Sequence, residues 1–97
     1  MLWMKRPRPE REPEIADAPV LSDELTDYDY RLLYVYLRLL IAEEKGADWT
    51  EVAKTVLRID PEAEPERAYQ AYQAHLARAH WMVSTGGYEL LRSARIE

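Results

Sequence analysis

The sequence contains no cysteine, no phenylalanine and only three glycines among its 97 residues. Without cysteine the chain can form neither a disulfide nor a thiolate ligand, which suits a reducing compartment, and we expect a cytoplasmic protein. Long apolar runs are also missing, because the longest, LLYVYLRLLIA, is interrupted by Arg38. A membrane-spanning helix needs about 20 apolar residues. The sequence therefore predicts neither a disulfide scaffold nor a membrane protein.

Groups that catalyse reactions or hold metal ions are not arranged in a recognisable pattern. His75 and His80 are five residues apart, whereas a spacing of three or four on a helix would direct both rings toward one ion. No glycine-rich loop opens a helix, since the TGGY sequence is expected to end one. The serines have no base at a typical spacing. We therefore expect no enzymatic activity, no metal site and no cofactor.

Charge is distributed unevenly along the chain. The net charge is −5, but residues 23–66 carry twelve acids against five bases, and the residues after them carry four bases against two acids. The sign of a local potential decides which partners it attracts. The acidic half favours basic partners and opposes direct binding of nucleic acid.

The first 21 residues differ in composition from the rest. They combine dense charge with four prolines, at positions 7, 9, 13 and 19. Proline at this density prevents a helix, and the charges oppose burial. We predict a disordered arm over residues 1–21, followed by one folded domain over residues 22–97.

The folded domain should begin with a helix near residue 26. Thr26 and Asp29 have the spacing of a capping box, and Gly46 is placed to end the helix. The helix is apolar around most of its circumference, which is typical of a helix covered on two sides. We assign the core stripe to Leu33, Leu37, Leu40 and Ile41. The opposite face is left uncovered and is predicted to bind a protein partner, through Tyr28, Leu32, Tyr36 and Leu39.

Two further helices complete an all-α domain, since no alternating strand pattern occurs. Asp48 and Glu51 in DWTE resemble a second capping box, and the inner face of that short helix holds Val52, Ala53, Val56 and Leu57. A third helix is predicted from about Pro65 to about Ser84. Its stripe comprises Ala68, Tyr72, Leu76, Ala79 and Val83. A short terminal turn with Tyr88, Leu90 and Leu91 is expected to dock on the core.

The three predicted helices have the outline of a DNA-reading helix-turn-helix with an extended turn. The third helix offers side chains able to contact DNA, namely Arg67, Gln70, Gln73 and Arg78. The turn before it carries acids that would repel phosphates, namely Asp60, Glu62, Glu64 and Glu66. These acids disfavour direct DNA binding, which therefore stays an alternative interpretation. An acidic DNA mimic, binding a basic protein through these acids, is a second alternative.

The segments GADWTEVAKTVL and AHLARAHWMVSTGGYELLR, joined by the long turn, resemble a proteobacterial extended-turn helix-turn-helix family first catalogued as a domain of unknown function. The resemblance covers roughly residues 25–92. It implies an antiactivator that controls transfer of an integrative and conjugative element, and hence horizontal gene transfer. The implied partner is the N-terminal domain of the transcriptional activator, with a LuxR-type quorum-sensing regulator as a second partner. The resemblance also implies a protein–protein decoy and not a promoter-binding protein.

Overall fold

A computed structural model describes residues 7–84 of the chain. The helices are α1 (Asp27–Arg31), α2 (Leu33–Glu44), α3 (Trp49–Val52), a π-helical turn (Ala53–Leu57) that continues α3, and α4 (Pro65–Ser84). No strand occurs between residues 7 and 84. The predicted all-α class is therefore confirmed, with α1 and α2 together taking the place of the predicted first helix. The predicted terminal turn with Tyr88, Leu90 and Leu91 lies outside the described residues.

The start of α1 confirms the predicted capping box. The Thr26 hydroxyl accepts a hydrogen bond from the Asp29 amide at 3.2 Å, and the Asp29 carboxylate accepts one from the Thr26 amide at 2.9 Å. The predicted single helix is, however, divided at Leu32, whose backbone leaves the helical region with φ −97° and ψ 14°. The chain re-enters a helix at once, since the Tyr36 amide donates to the Leu32 carbonyl at 2.8 Å.

The connection from α2 to α3 lies where the sequence predicts it, but the cap at the start of α3 differs from the predicted capping box. Gly46 has φ +70°, a left-handed conformation that glycine adopts without steric cost, and it follows the end of α2 as predicted. Asp48 is the N-cap of α3, but its side chain caps no backbone amide. It accepts a hydrogen bond from the Thr50 hydroxyl instead. The predicted cap by the Asp48 side chain is therefore wrong, and its carboxylate binds the Thr50 hydroxyl.

A long connection separates the π-helical turn from α4, as predicted. Arg58 ends the turn with φ 58° and ψ 37°, which makes it the one described residue other than glycine in the left-handed region. Ile59 is buried and anchors the connection to the core. The Asp60 carbonyl then accepts a hydrogen bond from the Glu64 amide at 2.8 Å, one residue before α4 begins.

The core lies where α4 crosses α2, α3 and the π-helical turn. The predicted inner face of the short helix is confirmed, since Val52, Ala53, Val56 and Leu57 are all buried. In α4 four of the five predicted stripe residues are buried, namely Ala68, Tyr72, Leu76 and Ala79. Val83 is 39% exposed and Met82 takes its place in the core.

The orientation of α2 contradicts the predicted protein-binding face. Leu32, Tyr36 and Leu39 are each fully buried in the core, and Tyr28 is half-buried. The predicted core stripe is only partly right: Leu33 is fully buried, but Ile41 is 36% exposed. With apolar residues all round the helix, hydrophobicity alone could not decide which side turns inward.

The described part of the arm, residues 7–21, contains no helix or strand, as its prolines predict. It nevertheless packs along the helical body. Pro13 and Pro19 are buried, and Ile15 packs against the hydrophobic core. An extended segment can bury its apolar rings without regular structure, which the charge and proline content did not indicate.

Candidate functional site

The centre of the domain is a buried ion pair between α1 and α4. Arg78 donates to Asp29 through Nη2, at 2.7 Å from Oδ2, and through Nε, at 3.2 Å from Oδ1. The Tyr36 hydroxyl donates to the same Oδ1 at 2.9 Å. The side chain of Arg78 is 2% exposed and that of Asp29 is fully buried. This two-pronged geometry gives the strongest hydrogen bonds available between the two groups.

The other contacts of Arg78 also face inward. Nη1 donates to the Ser22 carbonyl at 2.8 Å, and Nη2 donates to the Glu24 carbonyl at 3.0 Å. The Trp81 ring lies 3.8 Å from the guanidinium carbon, within cation–π distance. Arg78 therefore joins α4 to the segment that leads into α1. Its assignment as an alternative DNA contact is wrong, because a guanidinium enclosed in this way cannot reach a phosphate.

These contacts shift the ionisation of the buried groups. Burial by itself raises the pKa of Asp29, but hydrogen bonds from Arg78, the Thr26 amide and the Tyr36 hydroxyl outweigh it. The net result is a pKa below the ordinary value, so the carboxylate is stabilised as the anion. Burial and the neighbouring carboxylate raise the pKa of Tyr36, which keeps its proton for donation to Asp29.

A second polar chain runs from the arm to α4 through Tyr28. The Ala16 amide donates to the Tyr28 hydroxyl at 3.0 Å, and that hydroxyl is 2.7 Å from Nε2 of His75. Nδ1 of His75 is 2.7 Å from the Ala71 carbonyl, which can only accept, so Nδ1 carries the proton and Nε2 accepts from Tyr28. Burial lowers the pKa of His75 and favours this neutral ring. The Tyr28 hydroxyl thus makes its hydrogen bonds within the domain, contrary to its predicted role at a partner surface.

The exposed face of α4 carries little free positive charge. Arg67 lies on this face, but its Nε is 2.7 Å from the Asp17 carboxylate and its Nη1 is 3.1 Å from Glu64. Gln70 and Gln73 are exposed as predicted, and Gln73 donates to the Tyr69 hydroxyl at 3.0 Å. Three of the four alternative DNA contacts, Arg67, Gln70 and Gln73, therefore lie on one surface. Arg67 is the one basic side chain among them, and it is already paired with carboxylates.

The predicted acidic turn is exposed at each of its acids. Asp60, Glu62, Glu64 and Glu66 are all accessible to solvent. Asp60 also accepts a hydrogen bond from the Glu62 amide at 2.9 Å, which orders the turn. Three of the acids precede α4 and Glu66 lies in its first turn, where a DNA-reading helix would approach the phosphates. A negative surface therefore lies beside the exposed face of α4.

The outward face of α2 includes two residues, Leu37 and Ile41, that the sequence assigned to the core. We call Tyr34, Leu37 and Ile41 the outer α2 stripe; they follow one another at helical spacing. Ile41 is 36% exposed, and Tyr34 and Leu37 are partly buried. Arg11 of the arm lies 5.8 Å from the centre of the Tyr34 ring and covers one end of the stripe.

The sequence carries a signal for the buried polar groups of α4. His75 lies beside Leu76 and one turn before Ala79, two residues of the predicted apolar stripe, so it borders that stripe. Arg78 lies four residues before Met82, on the same inner side. A histidine and an arginine on the core side of a helix need partners, and a carboxylate capping another helix can be such a partner.

Three findings bear on the class of protein. The described residues contain no group of three or more histidine, cysteine or acidic side chains placed to hold a metal ion. Between residues 7 and 84, no helix combines the length and the apolar character needed to cross a membrane. The chain matches no protein-family model and no curated protein sequence. Its assignment to the extended-turn helix-turn-helix family therefore stays a proposal.

Proposed function

We propose that this protein is an antiactivator of the kind represented by QseM. It binds the N-terminal domain of a transcriptional activator of conjugative-element excision and transfer, in place of the activator's own helix-turn-helix domain. A LuxR-type regulator is a second partner in the same proposal. The order of a short helix, a long connection and a 20-residue helix supports the imitation of such a domain.

The observation that carries the proposal is that both arginines of α4 are held in ion pairs. Arg78 is enclosed against Asp29, and Arg67 is paired with Asp17 and Glu64. Affinity for DNA comes largely from cations that neutralise phosphates and release counterions. A helix-turn-helix whose third helix has one arginine enclosed and the other balanced by two carboxylates retains the shape of a DNA reader with little of its usual affinity.

The acidic turn strengthens this distinction between shape and binding. Its four carboxylates are exposed beside the beginning of α4. A surface that repels one class of partner while keeping the contacts of another achieves specificity through the difference in affinity. Promoter DNA is the disfavoured partner, and a protein with a basic or neutral surface is the favoured one.

The outer α2 stripe supplies the apolar contact that this proposal requires. Aromatic and aliphatic anchors surrounded by polar groups are typical of protein interfaces. Tyr34, Leu37 and Ile41 fit this pattern, and the polar neighbours Arg38 and Glu44 lie on the same outward side of the helix. We propose that the activator's N-terminal domain docks here, and this replaces the face centred on Tyr36 and Leu39.

A reporter assay with matched variants tests the proposal. The activator is expressed with its target promoter fused to a reporter gene, and the present chain is co-expressed as wild type, Ile41→Lys or Val83→Lys. Ile41 and Val83 are similarly exposed near the ends of their helices, at 36% and 39%. Wild type and Val83→Lys are expected to lower reporter output, and Ile41→Lys to lose this effect.

Two results would count against the proposal at different levels. A wild-type chain that leaves activator-dependent expression unchanged would remove the antiactivator function. Equal inhibition by wild type and Ile41→Lys would retain the function and exclude the outer α2 stripe as its docking surface. Circular dichroism of both variants checks that the helices persist.

The acidic DNA mimic is the second candidate, favoured by the exposure of all four acids in the turn. It predicts that the quadruple variant Asp60→Asn, Glu62→Gln, Glu64→Gln, Glu66→Gln loses inhibition, whereas Ile41→Lys retains it. The antiactivator proposal predicts the opposite pair of results. The same reporter assay therefore separates the two.

A further inference from the structure

Residues 10–17 of the arm lie on the helical body without regular secondary structure and are held by their backbone at three points. The Glu10 amide donates to the Arg31 carbonyl at 2.9 Å. The Ala16 amide donates to the Tyr28 hydroxyl at 3.0 Å, and the Arg58 guanidinium donates to the Pro13 carbonyl. Backbone contacts of this kind bind an extended segment whatever its side chains.

Side chains of the arm add chemical selectivity to this binding. The Pro13 ring is among the fully buried groups of the domain. Four residues later, Asp17 pairs with Arg67 at 2.7 Å, and on the other side Glu12 lies 3.8 Å from Arg58. The surface therefore selects a buried proline with a carboxylate on either side.

The backbone of Arg58 gives an independent reason to regard this surface as a binding site. Its φ of 58° is left-handed, at a position after a helix where glycine is the usual residue. An arginine there has a steric cost that glycine would avoid. Backbone strain kept at one residue often accompanies a functional role for its side chain. The contacts of that side chain go to the arm, at Pro13 and Glu12.

We propose that the surface formed by Tyr28, Arg31, Arg58 and Arg67, here called the arm groove, binds an extended, acidic, proline-containing segment of another protein. The chain's own residues 10–17 are the internal competitor for this groove. The inference does not rest on the antiactivator proposal: its support is the set of contacts that the arm makes, and the arm groove shares no residue with the outer α2 stripe, although Arg67 bears on both proposals.

The chemistry of the contacts favours a peptide over the other possible occupants. Arg58 and Arg67 have three ion-pairing partners, and two of these are acids of the arm itself. All three ion pairs are exposed. Each therefore adds little affinity, and its carboxylate can be replaced by another. An incoming segment with the same pattern would replace them one for one. Nucleic acid is a poorer fit, because it offers no proline ring and would meet the acidic turn beside Arg67.

The test uses the full chain and a labelled peptide that copies residues 9–19, PEREPEIADAP. The host proteins are the wild type and an arm-weakened variant, Pro13→Gly with Asp17→Asn. A tethered competitor acts at an effective concentration of about 1 mM. We therefore expect the peptide to bind the arm-weakened chain at least about tenfold more tightly than the wild type, as measured by fluorescence anisotropy.

Substitutions in the groove then test its residues. In the arm-weakened chain, Arg58→Gly is expected to reduce peptide affinity at least about fivefold without lowering the melting temperature, since glycine relieves the left-handed backbone. Lys54→Ala, an exposed cation one turn earlier, is the matched control and should leave affinity unchanged. A peptide with Asp17→Asn should bind more weakly than the parent peptide.

Four results would overturn the proposal. The first is equal peptide affinity for the wild type and the arm-weakened chain. The second is peptide binding that Arg58→Gly does not change. The third is dimerisation of the wild type in sedimentation experiments that the arm substitutions abolish, because the groove would then serve a second copy of this chain. The fourth is salt-dependent binding of duplex DNA to the arm-weakened chain, which would make the arm a cover over phosphate-binding arginines.

Discussion

The two arginines of α4 lie on the same helix, and each is bound to a carboxylate of another segment, yet their surroundings are opposite. Arg78 and Asp29 are enclosed in the core and joined by two hydrogen bonds. Arg67 and Asp17 are exposed, at 41% and 75% of their side chains. A buried charge cannot lose its partner without a large cost, whereas an exposed charge can turn to water.

The difference separates a structural role from a replaceable one. The Arg78–Asp29 pair joins α4 to the start of α1, and removing it should disturb the whole domain. The Arg67–Asp17 pair holds only the arm, and removing it should free one segment. Each of the two pairs occupies one arginine of α4. Substitutions in the two pairs should have different effects, which experiments can measure.

The largest effect is expected for Arg78→Ala. It leaves the Asp29 carboxylate buried without its main partner, and breaking a buried pair in this way costs about 3–5 kcal/mol. Urea denaturation should show a loss of this size in the free energy of unfolding. The double variant Arg78→Met with Asp29→Asn removes both charges and should recover part of it. A loss for Arg78→Ala as small as that of a surface substitution would contradict the structural role.

Tyr36→Phe should have the next largest effect. It removes the hydroxyl that donates to Asp29 at 2.9 Å, and a hydrogen bond to a charged group contributes about 1.5–3 kcal/mol. The phenyl ring fills the same space, so the loss reports the hydrogen bond and not a cavity. Tyr34→Phe on the outer α2 stripe is the matched control and should unfold as the wild type does. If the two variants are equally stable, the buried carboxylate does not need Tyr36.

The pH dependence of stability sharpens the role of the buried interior. Burial lowers the pKa of His75 below its ordinary value of 6.5, so the unfolded chain takes up this proton more readily. Stability should therefore fall as the pH drops below 6.5 toward the folded-state pKa, and stay constant with respect to this group above 6.5. The lowered pKa of Asp29 adds a further loss below about pH 3.8.

The His75→Gln variant isolates this effect. Its unfolding free energy between pH 7 and pH 5 should depend less on pH than that of the wild type. The His80→Gln variant changes an exposed histidine paired with Glu43 and should retain the loss that His75 causes. Identical pH profiles for wild type and His75→Gln would show that the ring is not neutral and buried in solution.

The smallest effect on stability is expected for Arg67→Ala. Because the side chain is exposed, the unfolding midpoint should be unchanged within experimental error. The arm should nevertheless loosen, and hydrogen exchange of the Ala16 amide should become faster than in the wild type. Gln70→Ala, next to the arm contact on the same exposed face, should leave that exchange rate unchanged. Slow exchange in both variants would mean that Asp17 contributes nothing to holding the arm.

Local sequence signals predicted the helical segments well. Thr26 with Asp29, Gly46 and Pro65 mark positions whose backbone chemistry is decided by near neighbours, and the structure has helix boundaries beside each of them. The cap at Asp48 shows the limit of such signals. The Thr50 hydroxyl, two residues away, donates to the Asp48 carboxylate, and the spacing of Asp48 and Glu51 alone did not reveal this hydrogen bond.

The orientation of α2 could not be derived from hydrophobicity, because both of its faces are apolar. Buried polar contacts accompany the observed orientation: Tyr36 turns inward to reach Asp29, which is itself held by Arg78 from a segment 49 residues away. The single charge within the apolar run, Arg38, is exposed on the outer side and was the one local indication of the correct orientation. The arm groove depends on still longer contacts, such as the one between Asp17 and Arg67.

We propose that this domain keeps the order of helices of a DNA reader while the pairing of both α4 arginines and the acidic turn leave it without measurable affinity for a phosphate backbone. The direct test is an anisotropy titration of labelled duplex DNA, carrying the activator's promoter, with the 97-residue chain at low salt, where phosphate contacts are strongest. The account predicts no change in anisotropy up to high protein concentration. Saturable binding that weakens steeply with added salt would contradict it.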